Sequence, residues 1–189
     1  MARVPYPDPQ SLPERNKEAL EALPPLNIFR MLAHAETAMR PYLRFGGVLL
    51  SDLQLGAVPR ELAILQVARL FEAEYEWIQH VAVGRAVGVT DEQIAALERG
   101  DLEADAFDDA QRALLRFITA AMRTPRPSDE DFAALQAHHS PREIVELLLV
   151  SGAYAMLARI MTSLDLDLDA ALGAEVLGRA TGSGGAGRS

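Results

Sequence analysis

Glu72, Glu76 and His80 recur every four residues within segment 60–88, RELAILQVARLFEAEYEWIQHVAVGRAVG, so on a continuous helix they share one face. A carboxylate beside an imidazole holds the ring in one tautomer, as general acid–base catalysis requires. The same spacing also suits a solvated ion pair on a helix surface, which carries no chemistry. A metal is a third reading, since the three side chains offer oxygen and nitrogen donors. Di-iron bundles pair Glu-x-x-His motifs from two helices, and this chain has no Glu-x-x-His. Neither a metal nor a cofactor is therefore expected. The other histidines are assigned to surface or core (His34) and to a loop (His138 and His139).

The elements that must position these residues follow from where prolines and glycines interrupt helical periodicity; no strand alternation and no internal repeat stands out. The opening is Pro-rich and extended to Gln10. Ser11 with Glu14 reads as a capping box that opens a helix to Leu23, which Pro24 and Pro25 stop. Asn27 is expected to cap the next segment, and Pro41 to divide it. Pro59 starts a long apolar-rich run to Val87, which Gly88 ends. Thr90 with Gln93, Ser128, and Ser140 with Glu143 read as further helix starts, with another helix over 109–123. The last helix is apolar nearly all round, from Val145 to Ile160, which places it centrally or in a subunit interface. The expected organisation is an extended arm (1–10), one helical domain (11–172) and a flexible Gly/Ser-rich tail (173–189).

Composition narrows the function. The 189 residues include no cysteine, which removes disulfides, thiolate metal sites and thiol redox chemistry. The formal charge of -9, from 27 acidic against 18 basic residues, argues against nucleic acid as a partner. It also means that an acidic substrate would have to be met by local arginines. No signal peptide is evident in 1–15, and Glu146, Ser151 and Arg159 interrupt the most apolar segment. The expectation is a cytoplasmic protein with no membrane association.

Segment 60–88 resembles the core of the carboxymuconolactone decarboxylase and alkylhydroperoxidase D superfamily. In the peroxidase branch the pattern is Glu, eleven residues, Cys, two residues, Cys, three residues, His. Laid on this chain, the glutamate is Glu61, the histidine is His80, and the cysteine positions hold Ala73 and Glu76. The run EYEW at 74–77 followed by His80 is similar to members without the cysteine pair. The flanks NIFRMLAHAE (27–36), FDDAQRALLRF (107–117) and YAMLARIMTSLDLDLD (154–169) resemble longer bacterial members, so the likeness spans residues 10–170.

The resemblance implies an all-α compact helical bundle of alkylhydroperoxidase D-like topology, assembled as a homo-oligomer. Thiol peroxidase activity is not expected, because neither Ala73 nor Glu76 can attack a peroxide oxygen. The implied activity is that of a cofactor-free lyase, decarboxylating a small carboxylated lactone or related acid. A non-catalytic oligomeric protein that binds small acids is the alternative. His80 is the candidate proton donor, and Glu61 or Glu76 the group that orients it. Tyr75 and Trp77 would line the pocket, with Arg60 and Arg85 anchoring a substrate carboxylate. On one straight helix Glu61 and His80 would stand roughly 28 Å apart. A break is therefore expected between Phe71 and Glu74, with Glu76 in the first turn of a new helix, where the dipole would keep its carboxylate ionised.

Overall fold

Two helices without a polar face organise the chain. The computed structural model describes residues 1–173, and the rest of the tail expected at 173–189 lies outside them. Among the described residues there are nine α-helices and no strand: α1 (Glu14–Glu21), α2 (Asn27–Leu32), α3 (Met39–Ser51), α4 (Ala57–Leu70), α5 (Glu74–Val87), α6 (Asp91–Arg99), α7 (Asp109–Arg123), α8 (Asp129–Gln136) and α9 (Pro141–Ser163). In α4 every residue from Arg60 to Ala68 is buried, because α5, α7 and α9 all pack against it. A helix apolar on all sides has to be surrounded. Truncating one of its fully enclosed residues, such as Leu62 or Leu65, is expected to cost about 2–5 kcal/mol.

The expected break between α4 and α5 is present. Ala73 N–H donates to the Ala68 carbonyl at 2.8 Å and Glu72 N–H to that of Arg69 at 3.3 Å. These two bonds form a Schellman closure. Its left-handed position, usually glycine, is Glu72 at φ 53°. The turn removes Glu72 from the face of Glu76 and His80, and folds α5 back along α4. At the far end Gly88 takes the left-handed position at φ 108°, as its sequence position suggests.

Other boundaries differ from expectation. The chain makes a short 3-10 turn at Pro9–Ser11, capped by Asp8 rather than opened by Ser11, and α1 starts at Glu14 without a side-chain cap. Asn27 does not cap α2 with its own side chain. Its backbone N–H donates instead to the Asp169 carboxylate at 2.6 Å. Pro41 does not divide a helix either; the division falls before Met39, and Pro41 sits in the first turn of α3, where a missing N–H costs nothing. The capping boxes at Thr90 and Ser140 form as read, and Asp108 supplies one for α7.

α9 is long and apolar enough by length and composition to cross a membrane, yet over half of its apolar window is buried within the fold. Its outer side leaves Val145, Leu148, Leu149 and Met156 exposed. After α9 the chain turns at Asp165, φ 54°, and residues 164–172 return as a strap. Asp167 accepts from Ala2 N–H and the Tyr6 hydroxyl, both at 3.3 Å. Asp169 holds Asn27 Nδ2 at 2.8 Å and the Tyr75 hydroxyl. The strap thereby ties α2 to the start of α5.

Candidate functional site

The helical reversal brings the two ends of the motif together within one chain. Glu61, on the first half of α4, accepts from His80 Nδ1 on α5 at 2.8 Å through Oε2. Its Oε1 accepts from Arg60 Nε at 3.0 Å, and Arg60 Nη1 donates to the Leu50 carbonyl at 2.8 Å. Glu61 is fully enclosed, at 0 % exposure. Burial pushes its carboxyl up, but the charge and hydrogen bond of His80, together with those of Arg60, outweigh it and hold the group below the ordinary carboxylate range. An ionised Glu61 accepts the hydrogen bond from Nδ1–H, which places the lone pair of the neutral tautomer on Nε2. The edge of the ring packs against Tyr154, with centroids 4.8 Å apart and planes at 88°.

His80 borders a partly open cavity of about 110 Å3 lined by α2, α3, α5 and α9. Its walls are mostly apolar, among them Ile28, Leu32, Leu49, Val83, Leu157 and Met161. Its polar lining comes from Tyr42, Tyr75, Glu76, Gln79, His80 and Tyr154. Among the described residues no arginine or lysine lines it.

Glu76 is the unusual member. It lies in the first turn of α5 as expected, yet only 1 % of it is exposed. Neither carboxyl oxygen has a hydrogen-bond partner among the described residues. Burial, reinforced by the charge of Glu61, raises its pKa well above the ordinary value. The expectation that the helix dipole keeps Glu76 ionised is therefore overturned: a dipole contribution of about 0.3–1 kcal/mol is small beside the several kcal/mol of desolvating a carboxylate. Burial likewise raises Tyr42 and, with the charge of Glu61 adding to it, Tyr154. It raises Tyr75 too, where the hydrogen bond to Asp169 adds to it.

The remaining candidates divide. Tyr75 lines the cavity, whereas Trp77 does not. Two residues apart on a helix, they face different ways, and Trp77 packs beneath Arg69, whose guanidinium lies 5.7 Å from the ring centroid. Arg60 is buried behind His80 and committed to Glu61 and Leu50, so it serves the histidine and not a ligand. Arg85 is exposed and paired with Asp91 at 2.7 Å. Neither arginine reaches the cavity lining. His34 is exposed, its Nε2 2.8 Å from the Pro5 carbonyl. Among the described residues no three His, Cys, Asp or Glu side chains form a group able to hold a metal. Tyr42, Gln79, Tyr154 and Asp169 escaped the sequence reading. Only tertiary packing brings them to the site, although Tyr154 lies in a flank that carried the resemblance.

Residues 36–120 match the model of the carboxymuconolactone decarboxylase family. No curated protein matches the chain. Among solved structures, an uncharacterised peroxidase-related protein from Ralstonia eutropha JMP134 with an alkylhydroperoxidase AhpD core superposes with TM-score 0.76 at 20 % identity, covering 95 % of this chain and 96 % of that one. A peroxidase-related protein from Silicibacter sp. TM1040 gives TM-score 0.74 at 20 % identity, with 95 % of each chain covered. The debrominase Bmp8, solved as a Cys-to-Ala variant with 2,3,4-tribromopyrrole, gives 0.65 at 16 % identity, covering 91 % of this chain and 94 % of that one. At these identities the likeness is one of fold.

Proposed function

We propose that this chain, which matches the carboxymuconolactone decarboxylase family model over residues 36–120, shares the alkylhydroperoxidase D-like fold and has no Cys-x-x-Cys pair, is a cofactor-free lyase of that superfamily working by proton transfer at carbon next to a carbonyl. The observation that supports this is the Arg60–Glu61–His80 chain. A buried, ionised glutamate fixes the tautomer of a histidine at the edge of a small cavity. Nε2 takes a proton from substrate carbon or, once protonated, returns it to the dienolate. Peroxide reduction finds no nucleophile here, since Ala73 and Glu76 stand where the thiols would be.

Decarboxylation of a small carboxylated lactone is the finer form of this reading, favoured by the family match, whereas the apolar lining favours a neutral lactone over a carboxylated one. Loss of carbon dioxide leaves a dienolate, which His80 protonates in the last step. A cytoplasmic, homo-oligomeric protein completes the proposal. The exposed strip of Val145, Leu148, Leu149 and Met156 supports self-association, which light scattering of the purified protein would detect.

The test uses an unsaturated lactone and carboxymuconolactone side by side. Hydrogen–deuterium exchange at the carbon next to the lactone carbonyl is followed by NMR in D2O, and decarboxylation by ultraviolet absorbance. Wild type is expected to catalyse exchange, with His80→Ala slower by about 10²–10⁴. Exchange equal in the two proteins, or peroxide turnover with a dithiol, would sink the reading.

A further inference from the structure

The least explained group in the molecule is the Glu76 carboxyl. His80 already has its orienting carboxylate in Glu61, so Glu76 is not needed for that purpose. It lines the cavity from α5, with both oxygens buried and without a partner among the described residues. A buried polar group in that condition costs free energy that a ligand can recover. The charged and titratable groups around it are Glu61 and Arg60 on α4, His80 on α5, Tyr42 on α3 and Tyr154 on α9. Arg60 balances Glu61, leaving no cation over for Glu76 or for an anionic ligand.

We infer that the cavity selects an uncharged, mainly apolar, ring-sized molecule with one hydrogen-bond acceptor, and that the Glu76 carboxyl donates the bond that recognises it. The size follows from the volume. About 110 Å3 is somewhat less than the roughly 150 Å3 cavity that accommodates benzene in an engineered protein core, so it takes no more than a single ring, and the partly open side has to admit any substituent. The charge follows from the lining. A carboxylate ligand would enter an apolar pocket with no arginine or lysine among the described residues that line it, close to ionised Glu61, and would lose its hydration without compensation, which favours the neutral lactone of the exchange assay over carboxymuconolactone. A neutral carbonyl or ether oxygen meets the carboxyl proton of Glu76 instead, and its ring packs on the leucine, isoleucine and methionine side chains.

This inference rests on reading the cavity as the substrate site, but not on proton transfer by His80, and its experiment separates the two. Four probes of one ring size are titrated by ligand-observed NMR: acetophenone (neutral, acceptor), toluene (no acceptor), benzoate (anion) and benzylamine (cation). Acetophenone is expected to bind wild type at least tenfold more tightly than benzoate or benzylamine, and about tenfold more tightly than toluene. Glu76→Leu abolishes the preference over toluene, while Glu76→Gln, whose amide still donates, keeps most of it. The carbonyl stretch of bound acetophenone moves to lower wavenumber in wild type and not in Glu76→Leu. Binding is read on wild type and the Glu76 variants without reference to exchange or decarboxylation, so it can hold even where catalysis by His80 fails. Benzoate or benzylamine binding as tightly as acetophenone overturns the inference. So does the absence of saturable acetophenone binding in wild type, or a preference over toluene that survives in Glu76→Leu.

Discussion

Glu61 and Glu76 are both buried carboxylates bordering the same histidine, and the fold treats them in opposite ways. Glu61 has Arg60 on one oxygen and His80 on the other. Glu76 has neither, although it lies in the first turn of a helix that should favour a negative charge. One carboxyl is held below the ordinary range and the other is pushed well above it, at sites on two helices joined by a three-residue turn. Burial alone therefore does not set the state of a carboxyl group. The number of donors that the neighbouring helices bring to it does. Two carboxyl groups of opposite protonation state beside a histidine are what an acid–base site needs.

Breaking the paired side has the largest expected effect. Glu61→Ala leaves Arg60 buried without its counter-charge and frees His80 Nδ1. It is expected to destabilise the fold by about 3–5 kcal/mol, readable by urea unfolding, and to remove lactone exchange with it. Glu76→Ala leaves no charge behind and is expected to cost much less. Equal losses in the two variants would mean that Glu76 has a partner after all.

The strap offers a third carboxylate. Asp169 serves the α2 amide, the Asn27 side chain and the Tyr75 hydroxyl at once. Asp169→Ala is expected to lower stability by about 1.5–3 kcal/mol, seen as a lower thermal midpoint. Binding of acetophenone should weaken with it, because α2 forms one wall of the cavity.

The two glutamates also predict opposite pH responses. The pKa of Glu61 is depressed in the fold, so its contribution is present above the ordinary carboxylate pKa and is lost as pH falls through the folded value. That of Glu76 is raised, so its contribution is present below the ordinary carboxylate pKa and is lost as pH rises through the folded value. Between the unfolded and folded values, each such group changes stability by about 1.4 kcal/mol per pH unit. Glu76→Gln should flatten the decline of stability on the alkaline side and leave the acid side unchanged. Urea unfolding at a series of pH values checks this, and parallel profiles for wild type and variant would count against a neutral Glu76. The smallest effect concerns the turn between the two sites. Glu72→Gly, relieving a left-handed backbone at φ 53°, is expected to stabilise by about 1 kcal/mol.

The amino-acid sequence by itself determined the helical class, most helix starts after residue 88 and the core motif, because these rest on local signals: Thr90 with Gln93, Ser140 with Glu143, Gly88, and the spacing from Glu61 to His80. It required a break after α4 as well, since no straight helix lets Glu61 touch His80. Tertiary structure decided what the local signals could not reach. The cap of α2 comes from Asp169, 142 residues away, and the division before Met39 follows packing rather than Pro41. Arg60 became the support of a glutamate and not a ligand anchor because Leu50 and Glu61 surround its guanidinium. The Glu76 carboxyl is pushed up because the surrounding helices bury it without bringing a hydrogen-bond partner to either oxygen among the described residues. Spacing along a helix specifies which residues share a face, but the protonation state of a carboxyl group depends on what the other helices place against that face.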